Sequence, residues 1–210
     1  SYLIHNLYKI KKVKKIYLID NNSNNKISTL FNLKIKNKKI YFIYDNLIRP
    51  KKFFKIKNIH VLIHLASITD AQNSIGGEKF YEKNNLGCFN NVLKYCILNK
   101  TKLIHISSTS IYGDQSKIVN ENSKFLKPQS PYAEIKLKEE KILKKNSKKI
   151  KFISLRFGTI AGVSRGMRFH TAVNKFCLNT ILNENVPVWK TALNQYRPYL
   201  SLSDAFKTFK

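Results

Sequence analysis

The sequence predicts an α/β protein built on a doubly wound parallel sheet. Three observations carry this. Short apolar runs recur along the chain, each ending in a polar or small residue. The runs are apolar throughout rather than alternating, the pattern of strands covered on both faces. Segments of helical periodicity separate them, and strands alternating with helices imply parallel pairing through crossover connections.

In chain order, residues 1–15 read as a short basic helix with Leu3, Leu7 and Ile10 on one side. Residues 16–20, 39–45 and 60–66 read as strands. Residues 78–99 form a helix candidate, with Phe80, Leu86, Phe89, Leu93 and Ile97 near helical spacing. A further strand is predicted over 102–107. Ser130 can cap the next helix and Pro131 suits its first position; this helix should run to about Asn146. A strand follows over 151–157. In a parallel sheet ligands bind outside the carboxyl ends of the strands. The residues that end these strands are therefore candidates: Asp20, Asp45, Ala66 and Ser67, Ser107 to Thr109, and Gly158 with Thr159.

Composition narrows the class. The 210 residues suffice for one domain with a core, and 43% hydrophobic content argues against a disordered chain. No uninterrupted apolar run approaches the ~18 residues of a membrane span, and no secretory signal pattern opens the chain. Cys88, Cys96 and Cys177 lack metal-ligand spacing and cannot all pair; reduced thiols in a cytoplasmic protein are the plain reading, with no metal site. The net charge of +27 would ordinarily suggest nucleic acid. Here, however, lysine is scattered through nearly every segment together with Asn and Ile, the residues that A/T-rich coding favours, so nucleic-acid binding is not the favoured reading.

The chemistry centres on Tyr132 and Lys136. Four residues apart on a helix, they share one face. A free tyrosine has a pKa of about 10, and a neighbouring ammonium favours the phenolate. Such a phenol can serve as a general base near neutral pH.

Six stretches occur in a telling order: His64-Leu65-Ala66-Ser67, Asn84-Asn85-Leu86-Gly87, Ile106-Ser107-Ser108-Thr109-Ser110-Ile111-Tyr112-Gly113, Pro131-Tyr132-Ala133-Glu134-Ile135-Lys136, Leu155-Arg156-Phe157-Gly158 and Arg197-Pro198-Tyr199-Leu200. Together they resemble the extended short-chain dehydrogenase/reductases, specifically the NAD-dependent epimerase/dehydratase family acting on nucleotide sugars. The resemblance covers nearly the whole chain and implies a Rossmann-like fold. It implies that Ser108, Tyr132 and Lys136 are catalytic. Tyr132 would exchange a proton with a sugar hydroxyl, Lys136 would hold the nicotinamide ribose, and Ser108 would hydrogen-bond the reacting oxygen. Asp20 would bind the adenosine ribose and favour NAD over NADP. Asp45 and Asn46 would contact adenine, while Leu65, Ala66, Ser67 and Thr159 would line the cofactor, and Asn84 would support the site from behind. Ser108, Thr109, Asn174 and Arg197 would face the nucleotide-sugar substrate; a guanidinium suits a diphosphate because its donors form a planar fork. Family members that remove water resemble one another in an Asp-Glu pair after the catalytic Ser/Thr; Thr109 and Ser110 stand there, so epimerase or reductase chemistry is expected. A homodimer is a further expectation of the resemblance.

The pattern also breaks. The family cradles the pyrophosphate on a Gly-rich turn, yet no glycine precedes Gly76, and Ser1 and Ile4 stand where glycines are expected. The expected organisation is a cofactor-binding part over 1–165, lacking its first strand, and the start of a substrate-binding lobe over 166–210. Two readings remain: a piece of a longer enzyme, or a degenerate member. The alternative function is a non-catalytic dehydrogenase-like domain that binds RNA or a protein partner.

Overall fold

The computed structural model describes residues 1–30, 40–69, 74–115, 118–169, 171–188, 190, 193 and 196–210. The chain divides into two compact units, one of Ser1–Leu18, Asn22–Phe42 and Phe157–Lys210, the other of Ile19–Asn21 and Ile43–Arg156. This is a division by packing, whereas the expected division at 165/166 is one of function.

The second unit is α/β. Its three-stranded sheet has the order β3 (Val61–His64), β4 (Lys102–Ser108), β5 (Phe152–Phe157). Strands β3 and β4 are parallel, in register from Val61 opposite Lys102 to His64 opposite His105. Parallel neighbours need a long crossover, and α2 (Glu78–Asn99) supplies it, over the predicted range. Its buried stripe is Tyr81, Asn85, Cys88, Val92 and Tyr95 with Phe89, Leu93 and Cys96 beside it. Phe80, expected on that stripe, is 64% exposed, because the stripe passes through its neighbour Tyr81. Lys100 ends the helix in the left-handed conformation at φ 52°, which a non-glycine residue adopts only at some cost. Phe53 stacks on Tyr95 at 4.5 Å between ring centres, and the Tyr95 hydroxyl donates to the Ile56 carbonyl at 3.0 Å. Around these rings Leu93, Leu103, Leu143 and Ile150 complete the core.

Helix α3 (Pro131–Lys145) begins as predicted, with the Ser130 hydroxyl accepting from Ala133 N–H at 3.2 Å and proline in the first turn. Between β4 and α3 the chain makes a 3-10 turn, Thr109–Tyr112, and then reverses at Gly113 with φ +68°. A Cβ there would collide with the backbone carbonyl of Lys127. Gly113→Ala should therefore cost about 3 kcal/mol, from left-handed strain plus a backbone clash. Urea unfolding of wild type and variant checks this; equal midpoints would show that the turn relaxes freely.

Strands β1 (Ile16–Asp20) and β2 (Ile40–Tyr44) pair as a separate two-stranded sheet. Among the described residues, the single sheet expected from sequence is distributed over three sheets. β2 is not covered on both faces: Tyr41, Phe42 and Tyr44 are exposed, since one neighbouring strand shields little of it. In the first unit, α1 is shorter than expected, Tyr2–Lys9, and buries no residue fully. The lysine repulsion over 11–15 explains its early end. There β6 (Thr159–Ala161) pairs in parallel with β7 (Tyr199–Ser201), with Thr159 opposite Tyr199. The unit also holds α4 (Ala172–Ile181) and α5 (Leu202–Lys207), the latter capped by Ser201. No helix of the described residues is long and apolar enough to cross a membrane.

Candidate active site

Parallel strands in register deliver their C-terminal residues to one edge of the sheet. The edge of the second unit's sheet therefore carries Leu65, Ala66 and Ser67 after β3 and Ser108 at the end of β4. Leu65 is more than half exposed there. Helix α3 packs against β4 and against the turn that follows it, bringing Tyr132 and Lys136 to the elements that hold Ser108 and Thr109. Both α3 side chains are buried. The Lys136 Nζ lies 5.9 Å from the centre of the Tyr132 ring. The Tyr132 backbone N–H donates to the Ser74 hydroxyl at 3.4 Å.

Ser108 is half-buried and held in place by its own turn. Its Oγ accepts from the Ser110 N–H at 3.2 Å and from the Ser110 hydroxyl at 2.9 Å. As both interactions use Ser108 as acceptor, its own hydroxyl hydrogen is left to point elsewhere.

Beneath Lys136 lies a buried network that the sequence reading missed. Lys136 Nζ donates to Glu139 Oε2 at 2.8 Å, and His105 Nε2 donates to the same oxygen at 2.8 Å. His105 Nδ1 meets the Ser154 hydroxyl at 2.8 Å. Burial alone would raise the Glu139 carboxyl pKa, but the hydrogen bond from His105 and the charge of Lys136 more than offset it, holding the pKa below the usual glutamate value. Glu139 is therefore ionised, acts only as an acceptor, and requires the hydrogen on His105 Nε2. His64, opposite His105 in the ladder, is driven down to about 3 by burial and by Lys136, and is neutral. The next residue, Glu140, turns the other way. It takes Arg156 in a fork, Nε to Oε1 at 3.0 Å and Nη2 to Oε2 at 2.7 Å, while Arg156 Nη1 donates to the Tyr112 hydroxyl at 3.0 Å.

Other expected residues are placed as follows. Asp20 ends β1 and is exposed. The buried Asp45 carboxylate accepts from the backbone N–H groups of Asn46, Lys51, Lys52 and Phe53 at 2.7–3.1 Å. Burial raises its pKa, and these four donors outweigh that and lower it. Asn46 Oδ1 accepts from Ile48 N–H at 2.9 Å. Both side chains thus build the turn after β2. Asn84 donates to Asn85, which is fully buried, accepts from the Ile68 N–H and donates to the Ile68 carbonyl. In the first unit, Thr159 N–H donates to the carbonyl of Pro198, the residue after Arg197, at 3.0 Å. Asn174 is buried and donates to the Arg168 carbonyl at 2.8 Å. The three cysteines are unpaired thiols, Cys88 and Cys96 buried and Cys177 exposed.

A tyrosine and lysine one turn apart, packed on a strand that ends in serine, invite comparison with known proteins. The model of the NAD dependent epimerase/dehydratase family matches residues 1–209. An uncharacterized UDP-glucose epimerase of Bacillus subtilis (strain 168) is 31% identical over 160 residues, 70% of this chain and 50% of that protein. The ADP-L-glycero-D-manno-heptose-6-epimerase of Brachyspira hyodysenteriae is 25% identical over 158 residues, 72% of this chain and 49% of that one. The chain thus spans about half the length of these curated relatives. UDP-glucuronic acid 4-epimerase from Bacillus cereus, solved with UDP-glucuronic acid and NAD, is similar in fold, with a TM-score of 0.85 at 24% identity over 99% of this chain and 67% of that one. The fold is accordingly the Rossmann-like α/β fold, and the chain belongs to the NAD-dependent epimerase/dehydratase family.

Proposed function

We propose that the protein is an NAD-dependent nucleotide-sugar epimerase that works through Ser108, Tyr132 and Lys136. The observation that carries this is the burial of Tyr132 and Lys136 on the face of α3 that packs on the strand ending in Ser108. NAD, when bound, supplies the hydride acceptor and donor. Tyr132 takes the proton of the sugar hydroxyl being oxidised and returns it on reduction. Ser108 orients the same oxygen with its remaining hydrogen. Lys136 has three N–H donors; one goes to Glu139, and the others are available to the nicotinamide ribose and the phenol.

The residues at the sheet edge fit the cofactor. Apolar Leu65 and Ala66 offer a surface for a flat ring, with Ser67 as a polar rim; Thr159 is carried as a cofactor residue on the resemblance alone. The turn anchored by Asp45 and Asn46 takes adenine through its backbone, since both side chains are engaged in the turn. Thr109, Asn174 and Arg197 serve the nucleotide sugar, with Arg197 on the diphosphate. The part over 1–165 is then the cofactor side and 166–210 belongs to the substrate side. Epimerisation is favoured over dehydration because Thr109 and Ser110 place hydroxyls, not carboxyls, in the turn beside Ser108.

The test is incubation with NAD and a panel of UDP- and ADP-sugars, followed by chromatography. Appearance of the sugar epimer supports the reading, and a 4-keto-6-deoxy product overturns the choice of epimerase. Exposed Asp20 supports NAD over NADP, because a carboxylate repels a 2′-phosphate. Asp20→Asn should weaken NAD binding about ten-fold, the worth of one charge-assisted hydrogen bond, and narrow the preference over NADP. Calorimetric titration with both nucleotides measures this; an unchanged ratio would remove Asp20 from the site.

A further inference from the structure

We propose that Glu139 is a positioning residue for the Tyr132–Lys136 pair, its buried carboxylate pinning the Lys136 ammonium and cancelling part of the positive charge that the phenol feels. The inference rests on the reading of Tyr132 as the proton-transfer group given above.

A lysine side chain is a flexible stem with a point charge at its tip. Here the side chain is 97% buried and that of its ion partner fully so. The carboxylate that receives it is held from the sheet, because His105 on β4 donates to the same oxygen and is in turn anchored by Ser154 on β5. Lys136 is thus tied through Glu139 to two strands rather than to its own helix alone. The position of the ammonium beside Tyr132 is set by this tether.

The electrostatic consequence depends on every charged group nearby. Glu139 faces Lys136 on its own helix, His105 on β4, His64 on β3 and Cys88 on α2. His64 stays neutral, and burial together with the Glu139 charge pushes the Cys88 thiol up to about 11, so it too is uncharged near neutrality. Glu140 is occupied by Arg156. The field at the phenol is then governed by the Lys136 cation, the Glu139 anion 2.8 Å from it and the His105 imidazole that shares that oxygen. An ammonium with an anion in contact attracts a phenolate less than a lone ammonium does. Glu139 therefore moves the working pH of Tyr132 upward from where Lys136 alone would put it.

Glu139→Gln keeps the shape and removes the charge. Two readouts apply: the ultraviolet phenolate titration of Tyr132, obtained as the difference between each protein and its Tyr132→Phe counterpart, and the acid limb of the pH–rate profile. Both are expected to move about one unit toward lower pH. Glu139→Asp keeps the charge but withdraws it by one methylene, so its midpoint should fall between wild type and the glutamine variant. An unmoved midpoint in a folded Glu139→Gln protein, or equal shifts for Asp and Gln, would overturn the proposal and leave Glu139 a packing residue. If the glutamine variant does not fold, the aspartate variant decides alone, a downward shift supporting the proposal and no shift overturning it. The spectroscopic midpoint needs no turnover, so it decides this inference even if no nucleotide sugar is converted.

Discussion

Tyr132→Phe is expected to reduce turnover by about 10²- to 10⁴-fold, the usual worth of a positioned acid–base group, while NAD binding changes little. The substitution removes one oxygen and keeps the ring, so the packing of Lys136 against that ring, 5.9 Å from ammonium to centroid, is preserved. Lys136 keeps Glu139 as its partner, so the cation stays in place to meet the ribose. The loss should therefore appear in kcat rather than in KM, as for an interaction made in the transition state. Steady-state kinetics on a converted nucleotide sugar, with NAD binding followed separately, provides the check. Turnover that survives within ten-fold would remove Tyr132 from the mechanism.

The largest stability effect is expected at Arg156. Its guanidinium holds Glu140 in a two-point fork and also reaches the Tyr112 hydroxyl, with both charged groups mostly buried. Removing one partner strands the other charge away from water. Arg156→Ala should cost about 3 kcal/mol or more, lowering the melting temperature by on the order of 10 °C. The penalty should depend on pH. Burial raises the Glu140 carboxyl, but the hydrogen bond and charge of Arg156 outweigh it and hold the pKa below the ordinary 4.5. A depressed folded-state pKa stabilises the native state above the unfolded value, and that contribution is lost as pH falls through the folded pKa. In the variant, burial is opposed only by the smaller contributions of Ser107 and His105, and protonation of Glu140 relieves the strain. The gap between wild type and variant should thus be full near about pH 7 and shrink below about pH 4.5. Urea midpoints at both ends measure it; a gap independent of pH would show that lost packing, not charge, is responsible.

Much of the fold was legible because it is written in local signals. The Ser130-Pro131 start defines α3 without any tertiary knowledge, and the 78–99 periodicity defines α2. The positions of Ser108 at a strand end and of Tyr132 and Lys136 on one helix face were legible, because the first follows from an apolar run and the second from a spacing of one turn. Glu139 was not. It sits in a run of Lys and Glu that resembles any solvated helix face, and nothing in the sequence separates its partners from those of Glu140. One signal was present: Glu139 lies three residues after Lys136 and seven after Tyr132, on their face of the helix. His105 was hidden for the complementary reason, since an imidazole inside an apolar strand reads as an interruption until a carboxylate on another element is seen to face it. The roles of Asp45 and Asn85 are of the same kind, because their partners are backbone groups that no side-chain pattern reveals. The exposure of β2 escaped because an apolar run records the capacity to be covered, not the neighbour that does the covering.

The pairing of β3 with β4 places His105 inward, where it meets Glu139. Because side chains alternate along a strand, a slip of one residue would turn that imidazole to the opposite face. An anion would be marooned without its second donor inside an oily interior. Misaligned sheets are thereby marked energetically during folding, and charge proofreads an alignment that apolar side chains, being interchangeable, would tolerate in more than one form.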